Sequence, residues 1–206
     1  MKNFGINSEQ KKENIKKAEE YYGQGISFGQ EGDFDRAIEC ITKAVELYPE
    51  FTEAWFNLGN AYYSGKNDFD SANNCWHKAL ELKPDYIDAL YNLADAYKDL
   101  GRNDEAIECF KQLLKIEPRD HEAWNNLAVA YLQKKDTIQA ISSWQKAVEI
   151  KPDKIESWYN MAVTYYENKE FQKAIECCEK ALEIKPDAYI LLRLLKELKE
   201  KLKVQK

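Results

Sequence analysis

Four asparagines, Asn57, Asn92, Asn126 and Asn160, recur every 34 or 35 residues, and each follows a carboxylate by four positions: Glu53, Asp88, Glu122 and Glu156. An amide side chain offers donors and an acceptor, so it can pair with a peptide unit without reading the residue that the unit carries. Carboxylates add a preference for positive charge. Aromatic rings stand directly before three of the asparagines, at Phe56, Tyr91 and Tyr159, and polar groups follow two of them by three positions, at Asn60 and Asp95. Rings beside amides can pack a peptide while its backbone is hydrogen-bonded.

The residue types that carry catalysis form no comparable pattern. The two histidines, His77 and His121, occupy unrelated places in the repeat, and no nucleophile stands at a fixed spacing from a base. There is no glycine-rich phosphate loop, no spaced His and Cys cluster and no acidic calcium loop. Carboxylate pairs are scattered over a chain that is 32% charged, as solvated faces are. The sequence therefore predicts a protein that is not an enzyme and takes no cofactor or metal. Cys40, Cys75, Cys109 and Cys177 recur on the same position of successive units. Equivalent stacked helices lie about 10 Å apart, too far for a disulfide. The adjacent Cys177 and Cys178 point about 100° apart on a helix with no histidine near in sequence, which argues against a metal or redox pair. Unpaired thiols suggest a reducing compartment, and the expected location is cytoplasmic.

The elements that must position these residues are marked by proline. Pro49, Pro84, Pro118, Pro152 and Pro186 are spaced by 35, 34, 34 and 34 residues, and there are no others. The units run 18–51, 52–86, 87–120, 121–154 and 155–188, with a polar, partly helical extension over 1–17 and a capping helix over 189–206. Met1 to Asn7 should be a frayed end, with Ser8 capping the helix that follows. Apolar residues recur at helical spacing: Trp55, Leu58 and Tyr62 form one face, Ala72, Trp76 and Ala79 another, and the polar stretch SGKNDFD separates them. Each unit thus reads as two antiparallel helices joined by a short turn. Gly32, Gly65 and Gly101 should make that turn in the first three units, and Lys134–Lys135 and Asn168–Lys169 in the last two. Asp85, Asp153 and Asp187, directly after their prolines, are placed to cap the next helix.

These positions resemble the tetratricopeptide repeat family. Its pattern has Trp, Leu, Gly and Tyr at 4, 7, 8 and 11, and Ala, an aromatic, Ala and Pro at 20, 24, 27 and 32. The second unit matches throughout with Trp55, Leu58, Gly59, Tyr62, Ala72, Trp76, Ala79 and Pro84, and the fourth departs only at Ala128. The third departs at Leu113 and the first is degenerate. The resemblance implies an all-α fold, a right-handed α-solenoid of five helix-turn-helix repeats plus a C-terminal capping helix. All five tryptophans fall at positions 4 or 24 and are expected in the core.

In that family the first helix of each pair lines a concave groove with positions 2, 5, 6, 9, 12 and 13. The implied peptide-binding set here is Asn57, Asn60, Asn92, Asn126 and Asn160, with Phe56, Tyr91 and Tyr159, and with Glu53, Asp88, Asp95, Glu122 and Glu156. Lys98 is the single cation at the groove positions of units two to five. The expected function is a protein–protein interaction scaffold binding a neutral-to-basic segment. Self-assembly into homo-oligomers and a regulatory fragment of a larger enzyme are the alternatives. The acidic tail of a heat-shock chaperone is not expected to bind, because Phe56, Glu122 and Asn126 replace the cations of that family's carboxylate clamp. The net charge of -6 is spread over repeats more acidic than their basic ends, which disfavours nucleic acid and anionic membranes. Leu191, Leu195, Leu198 and Leu202 give the capping helix its apolar stripe, and Ile190 and Leu194 fall at groove positions.

Overall fold

The computed structural model of the protein describes residues 8–204; the frayed end expected over residues 1–7 and the last two residues of the capping segment lie outside them. The described residues form eleven helices and no strand: α1 (Ser8–Gln30), α2 (Phe34–Leu47), α3 (Thr52–Lys66), α4 (Phe69–Leu82), α5 (Ile87–Asp99), α6 (Asn103–Ile116), α7 (His121–Gln133), α8 (Thr137–Ile150), α9 (Ile155–Glu167), α10 (Phe171–Ile184) and α11 (Tyr189–Val204). The class is all-α, an α-solenoid of helix-turn-helix pairs. By packing, the chain divides into two compact units, residues 1–93 and 94–206.

Proline ends the second helix of each pair as expected. The residue before it still closes a helical bond, Tyr48 to Ala44, Lys83 to Ala79, Lys151 to Ala147 and Lys185 to Ala181. The proline then excludes that residue from α geometry. The chain next makes a tight turn, in which the Tyr86, Lys154 and Ala188 N–H groups donate to the carbonyls of Lys83, Lys151 and Lys185. Asp85, Asp153 and Asp187 are spent inside those turns. This corrects their expected capping role: α9 is preceded by Lys154, which makes no side-chain cap bond. The side-chain caps lie elsewhere. Asp120 accepts from Glu122 and Ala123 at the start of α7, and Asp33, Asp68 and Asp136 accept from Arg36, Ser71 and Gln139 at α2, α4 and α8.

Within each pair one residue takes the left-handed conformation: Gly32, Asn67, Gly101, Lys135 and Lys169, with φ of 81°, 53°, 71°, 63° and 62°. Gly65 is therefore not the turn residue expected. It lies inside α3, and Asn67, the other type that tolerates this region, makes the turn. A side chain at Gly65 would run into the Phe34 ring, so this glycine serves close helix packing.

The unit 1 core gathers Ile41, Val45, Ala54, Leu58 and Cys75, and that of unit 2 is built around Trp144, Met161, Tyr165 and Cys178. Leu191 and Leu198 of α11 are buried in the latter, with Leu194, Leu195 and Leu202 packed against it. Ile190 instead is 65% exposed. The tryptophans separate into two kinds, which corrects the expectation that all are core. Trp76 and Trp144, at position 24, are 1% and 0% exposed. Trp55, Trp124 and Trp158, at position 4, are half-buried, and each donates its indole N–H at 2.9 Å to a carbonyl, of Pro49, Pro118 and Pro152 respectively.

Candidate functional site

The two ladders lie on the first helix of successive pairs because they share the period of the prolines. In unit 1, the Asn57 amide donates to the Tyr22 hydroxyl at 2.8 Å and to the Glu53 carbonyl at 2.9 Å. A carbonyl can only accept, so the orientation is fixed: the nitrogen makes both bonds, and Oδ1 accepts none among the described residues. Asn92 donates to Asn60 Oδ1 at 2.7 Å, and that same oxygen accepts the Trp76 indole N–H at 3.0 Å. Asn60 thus has both oxygen lone pairs engaged and only its amide N–H groups to offer. Glu53 and Asp88 are exposed, and Tyr91 is half-buried.

Phe56 is half-buried, its ring centroid 5.0 Å from that of Tyr86. Tyr86 is absent from the sequence-derived set because it is the last residue of its unit, outside both the eight-position pattern and the groove positions. Its hydroxyl is pushed up to about 12, first by burial and then by the Asp88 and Glu53 carboxylates. Tyr22 is raised chiefly by burial, against the hydrogen bond from Asn57.

In unit 2, Asp95 accepts from Lys98 at 2.7 Å and from the Asn126 amide at 3.5 Å. The Lys98 side chain is only 18% exposed, so this cation and Asp95 satisfy one another rather than facing a ligand as separate charges. Glu122 and Glu156 are exposed. They line a cleft of about 210 Å³ together with His121, Asn125, Asn126, Lys154 and Ser157. Lys154, outside the positions counted from sequence, adds a cation there. Asn125 Oδ1 accepts the Trp144 indole N–H and the Ser157 hydroxyl, each at 3.1 Å. Its place beside the ladder is therefore a core duty. His121 Nε2 is buried and has no hydrogen-bond partner among the described residues, 3.8 Å from the Glu122 carboxylate. The Asn160 side chain makes no bond among the described residues; its backbone carbonyl accepts the Thr164 hydroxyl at 2.8 Å. Tyr159 packs, partly buried, on the unit 2 core.

The five cysteines are unpaired. Burial pushes the Cys75, Cys109 and Cys177 thiols up to about 12 and Cys178 to about 11, so at neutral pH they are protonated and poorly nucleophilic. Among the described residues no group of three or more His, Cys, Asp and Glu is placed to hold a metal ion. No helix among them is long and apolar enough to cross a membrane.

Comparison with known proteins meets this geometry at the repeat itself. The family profile of the cytochrome c-type biogenesis protein H TPR domain matches residues 47–152, and tetratricopeptide repeat profiles match 22–68 and 155–188. The chain belongs to the tetratricopeptide repeat family. This family is in general one of non-enzymatic scaffolds for protein interaction. The protein MJ0572 of Methanocaldococcus jannaschii is 53% identical over 45 residues, 22% of this chain and 52% of that one, so the match spans about half the relative's length. Among solved structures, MamA from Desulfovibrio magneticus RS-1 superposes with a TM-score of 0.74 at 20% identity, over 84% of this chain and 97% of that one. YrrB, described as a TPR protein with an unusual peptide-binding site, superposes with a TM-score of 0.75 at 24% identity, over 92% and 97%. PilF of Pseudomonas aeruginosa gives 0.69 at 19% identity, over 92% and 86%. At these identities the likeness is one of fold.

Proposed function

We propose that this protein is an interaction scaffold that holds a neutral-to-basic polypeptide segment on the first helices of its pairs, in the cytoplasm and without catalysis. The observation that carries this is the direction of the asparagine amides. Asn57, Asn92 and Asn126 turn their NH₂ groups to partners within the chain, at Tyr22, Asn60 and Asp95. Each keeps its amide oxygen as an acceptor. Exposed Glu53, Asp88, Glu122 and Glu156 add acceptors that carry negative charge. A face rich in acceptors suits a segment rich in donors, its backbone N–H groups and the cations of lysine or arginine. It equally disfavours the acidic tail of a chaperone. The description of YrrB as a peptide-binding TPR protein is in keeping with this.

Titration with two synthetic peptides of equal length, one Lys/Ser and one Glu/Ser, tests the sign. The basic peptide should bind, more weakly as salt rises, and the acidic one should not. Equal binding of both would overturn the proposal.

A second reading, association of copies through the C-terminal helix, is favoured by Tyr189 and Ile190, which are 74% and 65% exposed on α11. Light scattering over a concentration series separates the two, since a monomer at all concentrations leaves only the scaffold.

A further inference from the structure

Position 12 of the repeat carries Tyr63, Lys98, Leu132 and Tyr166 in units two to five, but Gly29 in the first. The missing side chain opens a pocket of about 410 Å³ in unit 1, between α1 and α3 over the start of α2. Gly29, Ala37, Ile41, Ile26 and Phe34 line it, together with Asn57, Asn60 and Ser64 of α3. Ala37 and Ile41, 1% and 2% exposed, are core residues, and the accessible apolar lining comes from the half-buried Ile26, Gly29 and Phe34.

We infer that this pocket is the specificity site of the scaffold, taking one large apolar side chain, Leu, Met, Phe or Trp, from the bound segment. The inference rests on the peptide-binding function proposed above and names its anchor. Two observations select a polypeptide as the occupant. Asn57 keeps only an acceptor, Oδ1, and Asn60 keeps only donors, on Nδ2, because their other groups are bonded to Tyr22, Glu53, Trp76 and Asn92. Three residues apart on one helix, the two side chains share a face. They thus offer the complement of the N–H and C=O that flank a single side chain in an extended peptide. Exposed Glu53, one turn before Asn57, adds the sign, and the anchor should have a basic neighbour. A pocket of this size and lining suits apolar burial with few polar contacts.

Gly29 also supplies the test. A Cβ added there would lie 3.9 Å from Ala37 Cβ, an ordinary contact, so a side chain can start at this position without a clash. Alanine or leucine for glycine inside a helix should raise the melting temperature or leave it unchanged. The probe is a random nonapeptide display library selected on the full chain. The wild type should enrich one large apolar position beside Lys or Arg, and changing that residue to Ala in the synthetic peptide should weaken binding about 30-fold. Gly29→Leu should bind the two peptides alike, whereas Gly29→Ala should still discriminate. Ser64→Trp, at the exposed rim, should act as Gly29→Leu does and covers the case in which that variant folds poorly. Enrichment of basic peptides with no fixed apolar position would overturn the pocket and leave the scaffold standing. A preference that survives both blocking variants would also overturn it. No enrichment at all would overturn pocket and scaffold together. A dimer of the wild type that Gly29→Leu dissolves would assign the pocket to a second copy of the chain and overturn the proposal.

Discussion

The indole N–H of Trp158 is bonded to the carbonyl oxygen of Pro152 at 2.9 Å, and Trp124 with Pro118 and Trp55 with Pro49 repeat the arrangement at the same distance. The carbonyl is one that the ending helix cannot satisfy, because the chain turns away at the proline. Tryptophan at position 4 therefore does two things: it packs a half-buried ring and pins the start of one helix pair to the end of the previous one. The third repeat has Leu90 at this position, 1% exposed, and packs without the tie.

Trp158→Phe keeps an aromatic ring and removes the donor. The expected cost is about 1 kcal/mol, the net worth of one hydrogen bond, seen as a lower melting temperature in calorimetry. A variant as stable as the wild type would show that the ring alone matters.

Gly59→Ala should destabilise the fold, although a glycine-to-alanine change inside a helix ordinarily stabilises. The added Cβ would come within 2.6 Å of the Trp76 indole and 3.1 Å of the Ala72 carbonyl. Overpacking of this kind costs roughly 1 to 3 kcal/mol. The fourth repeat tolerates Ala128 under Trp144, but there the indole bonds to Asn125 at position 5, whereas Trp76 bonds to Asn60 at position 9. Urea denaturation of Gly59→Ala measures the loss; a stabilised variant would contradict the contact.

Acid should weaken the fold through the helix caps. The Asp68 carboxyl is held below its ordinary range by the Ser71 hydroxyl and then the Ser71 N–H, and Asp33 by the Arg36 N–H and then its side chain. A depressed carboxyl contributes stability that is complete above the unfolded value, about 4, and is lost as pH falls through the lower native value. Melting temperatures should thus be level between about pH 5 and 7 and fall below about pH 4. Asp68→Asn with Asp33→Asn keeps cap acceptors but cannot titrate, so its acid slope should be shallower. An identical slope would locate the titration elsewhere.

Alkylation should distinguish Cys40 from the other thiols. Cys40 is half-buried, and Cys75, Cys109, Cys177 and Cys178 are buried. With iodoacetamide at pH 8 and peptide mapping by mass spectrometry, Cys40 should be modified first and the others only as the chain unfolds. Rapid modification of Cys177 or Cys178 would contradict their placement.

The helix pairs were legible because prolines and apolar spacing both report backbone constraints that act within one repeat. Asp85 and Asp153 misled because a proline followed by Asp suits a turn as well as a cap, and the choice depends on one further residue. Gly65 misled because Gly and Asn both tolerate the left-handed conformation, and only packing against Phe34 decides which residue makes the turn. The asparagine ladder was legible as a list. Which end of each amide is spent was not, since that depends on Tyr22, Asn60 and Asp95 from neighbouring helices. The Gly29 pocket was equally hidden, because an absent side chain has no signature until its neighbours are in place.

The most direct measurement is calorimetric titration of the Lys/Ser peptide into the wild type and into Asn126→Ala with Asn160→Ala. Asn126 holds Asp95 only through a 3.5 Å contact and the Asn160 side chain makes no bond among the described residues, so removing both should leave the melting temperature nearly unchanged. Affinity should fall by roughly 1 kcal/mol for each lost hydrogen bond. Wild-type affinity in the double variant, together with a lowered melting temperature, would make the ladder a feature of the fold and contradict the function proposed for it.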